Sequence, residues 1–283
     1  MKIEKSKDRT VKFDFDKGYS TVLIPLNTKK TLCLSSQIGC PIGCSFCLSG
    51  KRMFERNLSA EEMKGQLEEA ISYLEISDLW SRGNSKGVNL LGEHITTMVF
   101  MGMGEPMLNL DAVLSFCDYV NDFYGYAYSR ISISTCGILA GMERVVEGEN
   151  KIQLALSLHS PFQEVRDRMM PNVSGVKISD LVGMCERYNQ KRRQKIMIEY
   201  LMVDGLTDRD EDLAALIGLG FAKRTNFNLI GLNGGFVLDG VSYMGSSVER
   251  MGLFREGLME AGYKCFTRTS MGTDIEAACG LLR

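Results

Sequence analysis

A chain of 283 residues that is 45% hydrophobic can bury one large core or two modest ones. Its net charge of −2 argues against a generally basic nucleic-acid binder, and no apolar run is long enough to span a bilayer. The N-terminus is charged and shows no signal peptide, so nine cysteines point to a reducing, cytoplasmic setting and to metal or redox chemistry.

Residues 21–25 and 31–35 read as short strands ahead of a loop, Gly39-Cys40-Pro41-Ile42-Gly43-Cys44-Ser45-Phe46-Cys47. Ser59-Ala-Glu-Glu62 is a capping-box pattern opening a helix that runs to about residue 74. Residues 80–93, rich in Gly, Ser and Asn, read as a loop, with His94 at its end as a surface residue. Strand patterns then follow at 95–101, 131–135, 152–158, 196–203, 227–230 and 264–268. Helical patterns fall between them at 110–122, 140–147, 178–190, 209–219 and 248–262. Such alternation demands a parallel sheet with right-handed crossovers. Six strands are too few for a closed eight-fold barrel, so the expected fold is α/β: an open, partial (β/α)6 barrel with a short N-terminal β extension. The extension is placed at residues 1–32 and the catalytic domain at 33–283.

The C-x3-C-x2-C spacing of Cys40, Cys44 and Cys47 is the most informative feature. Three thiolates on a tight loop suit three irons of a [4Fe–4S] cluster and leave the fourth iron open to a chelating molecule such as S-adenosylmethionine. Gly39, Pro41 and Gly43 suit the turns needed to aim three sulfurs at one cube. The alternatives are a structural zinc site, which wants a fourth Cys or His nearby, and plain buried thiols. Polar groups recur at strand ends: Gly104 and Glu105 in Phe100-Met-Gly-Met-Gly-Glu, Ser134, Ser157-Leu158-His159, and Asn233. Each could cap a helix or turn, but together they would surround one mouth. Glycines beside Glu105 would let a ligand approach the backbone, and Glu105 could accept from an ammonium group. Cys117, Cys136, Cys185 and Cys265 read as small core residues, and the run from Lys191 to Lys195 as a solvated helix end.

Several of these segments also carry a resemblance. Leu32-Cys33-x3-Gln37-x-Gly39-Cys40, the cysteine loop, Arg56-Asn57-Leu58, the Gly-Met-Gly-Glu105 turn, Ser157-Leu-His159, Ile198-Glu-Tyr and Asp274-Ile-x-Ala-Ala-Cys279-Gly together resemble the RlmN/Cfr family. These are radical S-adenosylmethionine enzymes that methylate adenosine in RNA, and this chain resembles a short form without their N-terminal accessory domain. The resemblance implies a [4Fe–4S] cluster on Cys40, Cys44 and Cys47, and two S-adenosylmethionine molecules per turnover. It places cofactor contacts at Gly104, Glu105, Ser134, Ser157, Leu158, His159 and Asn233. It makes Cys279 the thiol that is first methylated, and Cys33 the one that resolves the RNA adduct through a Cys33–Cys279 disulfide. It further implies an rRNA or tRNA substrate methylated at C2 or C8, an electron donor such as flavodoxin or ferredoxin, and a monomer with no membrane association. Another RNA, or a small adenine compound, is the alternative substrate, and a zinc-dependent nucleic-acid-binding module the non-enzymatic one. Where relatives carry Glu before the Thr-Val-x-Ile-Pro stretch, this chain has Ser20.

Overall fold

The computed structural model describes residues 1–26, 29–74 and 90–282. Four strands lead the chain, β1 (Lys2–Lys5), β2 (Val11–Phe15), β3 (Tyr19–Leu26) and β4 (Lys29–Cys33), each antiparallel to the one before. In the cysteine loop that follows, β5 (Gln37–Ile38) and β6 (Arg56–Asn57) pair, with the single-turn helix α1 (Leu48–Lys51) between them. Helices α2 (Ala60–Tyr73) and α3 (Leu90–His94) lead into the alternating part. There the order is β7 (Thr97–Phe100), α4 (Leu110–Tyr124), β8 (Ile131–Thr135), α5 (Leu139–Glu147), β9 (Gln153–Ser157), α6 (Gln163–Met169) and α7 (Ile178–Arg192). The chain continues through β10 (Met197–Met202), α8 (Asp210–Gly218), β11 (Asn226–Gly231), β12 (Gly235–Leu238), β13 (Val241–Met244), α9 (Val248–Glu260) and β14 (Lys264–Arg268).

One ten-stranded sheet runs β1-β2-β3-β4-β7-β8-β9-β10-β11-β14. From β4 to β14 every neighbouring pair is parallel. The fold is therefore α/β with a mostly parallel central sheet. Strands β9 and β10 are buried along nearly their whole length, the mark of a sheet covered on both faces. The helices cover it through one large apolar core that includes Met63, Phe116, Leu181 and Phe254.

The parallel run begins one strand earlier than the sequence pattern suggested, because β4, which feeds the cysteine loop, pairs in parallel with β7. β4 also continues the antiparallel strands β1–β3, so residues 1–32 extend the main sheet rather than standing apart from it. Of the loop expected at 80–93, residues 80–89 lie outside the described residues; 90–93 belong to α3, and His94 ends that helix. The capping box of α2 forms as expected: Ser59 Oγ accepts from Glu62 N–H, and Glu62 Oε2 accepts from Ser59 N–H.

Candidate active site

The cysteine loop is fixed at its root before any sulfur is placed. Ser35 N–H donates to Gln66 Oε1 at 2.9 Å, and Gln66 Nε2 donates back to Ser35 O at 3.0 Å, pinning the exit of β4 to α2. Asn109 Nδ2 bridges the carbonyls of Ser36 and Leu58, both at 2.8 Å. Gly39 takes a φ of +71°, and a Cβ there would lie 2.1 Å from Met53 O, so no other residue fits without shifting backbone. Inside the loop, Cys47 N–H donates to Cys44 O and Ser45 N–H to Met169 O at the end of α6. Asn172 Nδ2, just beyond α6, donates to Pro41 O at 2.7 Å.

Cys40, Cys44 and Cys47 are half-buried. Burial pushes the Cys40 thiol up to about 12, and Cys47 and Glu105 add to the rise. Burial likewise holds the Cys44 thiol well above its ordinary value, with Cys47, Cys40 and Glu105 adding to the rise. Free thiolates are thus disfavoured there, and the positive charge of bound iron is what would stabilise them. Among the described residues, no three His, Cys, Asp or Glu converge as ligands of a single metal ion. The donor set fits an iron–sulfur cube spread over three separated thiols better than a closed zinc site.

The groups expected around S-adenosylmethionine all lie at or just beyond the carboxyl ends of parallel strands, where open α/β sheets bind ligands. Gly104, at a φ of +102°, packs against Gln37, whose Cβ would be 2.6 Å from an added Cβ. The glycine therefore serves the close approach of two protein loops, and Gln37 Oε1 locks the pair by accepting from Glu105 N–H at 2.8 Å. Glu105 is buried, and each of its oxygens accepts one backbone N–H, from Met107 at 3.0 Å and Cys136 at 2.8 Å. Burial raises its pKa, against the pull of those bonds and of the Cys136 and Thr135 side chains, which also hydrogen-bond to it. Ser134 Oγ and Ser157 Oγ meet at 3.4 Å across β8 and β9. Leu158 is buried, and its N–H is committed to Glu199 O.

His159 has a left-handed φ of 62°, and its Nδ1 accepts from Leu201 N–H at 3.2 Å. Burial drives its pKa down to about 3, with the Arg166 charge adding to the fall, so the ring is neutral with its proton on Nε2. Phe46, beside Cys47, packs edge-on against it with ring centroids 5.0 Å apart. Asn233 turns instead to the C-terminal segment, donating from Nδ2 to Cys279 O at 3.0 Å.

That segment is clamped to the cysteine loop. Leu48 N–H, immediately after Cys47, donates to Gly280 O at 2.8 Å, and Ser49 Oγ donates to Leu282 O at 2.6 Å. Its other end is tied to the turn between β1 and β2: Gly272 N–H donates to Asp8 and Ser6 Oγ to Asp274. Cys33, at the end of β4, is buried in a small apolar cluster with Val22, Val99, Ala277 and Leu282. Burial pushes its thiol up to about 12; Arg268 pulls the other way, and Cys279 adds to the rise. Cys279 is open to solvent, yet the protein crowding its thiol raises the pKa, again against the pull of Arg268. Exposure governs access to this sulfur, and crowding governs its affinity for the proton. All nine cysteines are free thiols, so the implied Cys33–Cys279 disulfide is not part of this state.

Two charged residues at this mouth were not anticipated. Arg268 ends β14, with Nη1 3.6 Å from Met101 Sδ, and its charge acts on Cys279, Glu199 and Cys33. Glu199 is buried in β10 and accepts from Asn228 Nδ2 at 2.8 Å. A charged residue ending a strand was the available signal for Arg268. Ser20 is buried and donates to Asp14 Oδ1 at 2.5 Å. The cleft beside it, about 520 Å³, is lined by Lys2, Glu4, Lys12 and Asp14, largely paired with one another, and contains none of the cysteines.

No family model matches the sequence. The chain is 37% identical over 287 aligned residues to the dual-specificity RNA methyltransferase RlmN of Desulfotalea psychrophila, covering 99% of this chain and 76% of that protein. The crystal structure of a radical SAM methyltransferase from Sphaerobacter thermophilus superposes with a TM-score of 0.88 at 31% identity, over 100% of this chain and 80% of that one.

Proposed function

The chain belongs to the RlmN family of radical S-adenosylmethionine RNA methyltransferases, and from that premise we propose that it methylates a ring carbon of adenosine, C2 in preference to C8, in ribosomal RNA, transfer RNA or both. The observation that carries this reading is the seating of Cys279. The segment that carries this thiol is hydrogen-bonded through Gly280 O and Leu282 O to the helix that follows Cys47, and the charge of Arg268 acts on both Cys279 and Cys33.

An aromatic ring carbon is too weak a nucleophile to take a methyl group from a sulfonium, so the carbon must be delivered through a more reactive carrier. The [4Fe–4S] cluster and S-adenosylmethionine, when bound, supply one electron and a carbon radical. The chain's own residues do the rest. Cys279, as thiolate, displaces S-adenosylhomocysteine from a first S-adenosylmethionine and holds the methyl group as a thioether. Arg268 favours the thiolates of both Cys279 and Cys33. In the RNA adduct the thioether carbon has given one hydrogen atom to the carbon radical, joined the ring and given back one electron. Cys33 as thiolate then removes the ring proton, and once deprotonated again its sulfur attacks that of Cys279. The bond from Cys279 sulfur to the methylene carbon breaks, the carbon takes up a proton to complete the methyl group, and a Cys33–Cys279 disulfide is left for an external reductant.

Glu105 presents its buried carboxylate to the ammonium of S-adenosylmethionine, and Gly104, Ser134, Ser157, Leu158, His159 and Asn233 line the same site. His159 acts by bracing Phe46. The parallel run β4–β14 is read as the partial (β/α) barrel, with residues 1–32 an extension and 33–283 the catalytic domain. A flavodoxin or ferredoxin supplies electrons to a monomeric enzyme. The test is mass spectrometry of RNA nucleosides from cells with and without the gene: a methyladenosine species disappears with the gene, and an unchanged nucleoside profile contradicts the assignment.

A further inference from the structure

Arg166 heads the fully buried side chains by volume, with no exposed surface. A buried guanidinium is costly unless a negative group meets it. Here Nη2 donates to Cys136 O, while Nε and Nη1 are buried with no protein partner. No carboxylate forms a salt bridge with it among the described residues. Asp167, the adjacent acid, accepts instead from Gln163 Nε2 at 2.8 Å.

Its location says what the missing partner is. Arg166 lies on α6 one turn before Met169, whose carbonyl takes the N–H of Ser45, next to Cys44. Met169, Met170 and Cys136 pack in one cluster with Ile42, against Cys40, Cys44 and Phe46. Its bonded carbonyl belongs to Cys136, whose N–H holds Glu105. The guanidinium charge is felt at Cys44, Cys136 and His159. His159 is neutral, and although the charge of Asp167 acts on the guanidinium, neither Asp167 nor Glu105 forms a salt bridge with it among the described residues.

We propose that Arg166 is an electrostatic partner of the iron–sulfur cluster, its unpaired N–H groups donating to cluster and thiolate sulfur beside Cys44. This rests on the assignment of the cluster to Cys40, Cys44 and Cys47. A cubane held by three thiolates is a net anion and gains a further negative charge on reduction. A fixed cation against it favours the reduced form, and hydrogen bonds to sulfur act in the same direction. Arg166 is thus a tuning residue: it acts on the electron affinity of the cluster and makes no contact with RNA.

The experiment is a redox titration, followed by electron paramagnetic resonance, of anaerobically reconstituted wild type, Arg166→Met and Arg166→Lys, each with its iron content measured. In Arg166→Met the potential falls by the equivalent of a tenfold loss of reduced cluster or more, about 59 mV for one electron. Arg166→Lys, which keeps the charge, recovers most of that shift. An unchanged potential in an iron-loaded Arg166→Met, or an equal fall in Arg166→Lys, overturns the proposal. So does weaker S-adenosylmethionine binding at an unaltered potential, which would assign the guanidinium to the cofactor carboxylate. Should the methionine variant fail to fold, wild type carrying ¹⁵N-guanidino arginine decides: the reduced cluster shows hyperfine coupling to ¹⁵N that Arg166→Lys removes, and its absence contradicts the proposal. A wild type that binds no iron would instead defeat the cluster assignment, a separate outcome.

Discussion

Cys40, Cys44 and Cys47 lie on one short loop, whereas Cys33 and Cys279 arrive from opposite ends of the chain. The first group is positioned by bonds within and immediately around its loop: Cys47 to Cys44, Ser45 to Met169, Asn172 to Pro41. The second depends on sheet order, which sets β4 beside β7, and on the strapping of residues 272–282 to the β1–β2 turn and to α1. Iron binding should therefore survive damage to the outer pair, and methyl transfer should fail if either group is damaged.

The largest effect is expected from single removals. Cys44→Ala should bind little iron and produce no 5′-deoxyadenosine from S-adenosylmethionine. Cys279→Ala should keep its iron and its cleavage activity while losing RNA methylation altogether. Iron analysis with chromatography of the two products separates the variants, and a Cys279→Ala protein without iron would erase the distinction between the two groups.

Cys33→Ala sharpens the comparison within the outer pair. It should accept a methyl group on Cys279 and then stall, accumulating RNA joined covalently to that residue. A nuclease-trimmed nucleotide on the Cys279 peptide, detected by mass spectrometry, is the expected product. Free methylated RNA at the wild-type rate would show that another group resolves the adduct.

A smaller effect is expected from loosening the strap alone. Ser49→Ala removes one hydrogen bond to Leu282 O, worth about 1 kcal/mol. RNA methylation should slow several-fold while S-adenosylmethionine cleavage without RNA stays at its wild-type rate. Equal losses in both assays would mean that the strap supports the cluster loop itself.

The smallest effect on activity is expected at His159, whose contribution is read in stability. Its folded pKa of about 3 lies below the 6.5 of an ordinary imidazole, so between those values the unfolded chain binds the extra proton. The stability this contributes is full above about pH 6.5 and is lost as the pH falls toward 3. His159→Gln should flatten the stability–pH curve between pH 6.5 and 4.5, above the range of ordinary carboxylates, as read by urea unfolding of the apoprotein. Parallel curves for the two proteins would mean that the ring is not held neutral.

What could be read from the sequence followed the same division. The cysteine loop needed only spacing, and the alternation from β7 onward needed only periodicity, because a parallel sheet covered on both faces leaves continuous apolar runs. Helix α6 was missed because its buried face carries Arg166, so Gln163-Glu-Val-Arg-Asp-Arg-Met169 reads as polar all round. The β12–β13 hairpin was missed despite a signal in plain sight. Asp239-Gly240 sits at its turn with both φ positive, at 50° and 80°, the conformation that favours Asp-Gly in two-residue hairpin loops. β1 and β2 are short and interrupted by charge, and they are strands because β3 pairs with β2 and β2 with β1. The roles of His159 and Asn233 were not legible either, since Leu201, Phe46 and Cys279 reach them only through the fold.

The central claim is that the methyl group reaching RNA has first resided on Cys279. Protein produced in cells fed trideuteromethyl-methionine should carry the label on Cys279 as a thioether. It is then given unlabelled S-adenosylmethionine, reductant and RNA for a single turnover. The account predicts that the first methyladenosine formed contains deuterium drawn from the protein; a fully unlabelled methyl group in that first product would contradict it.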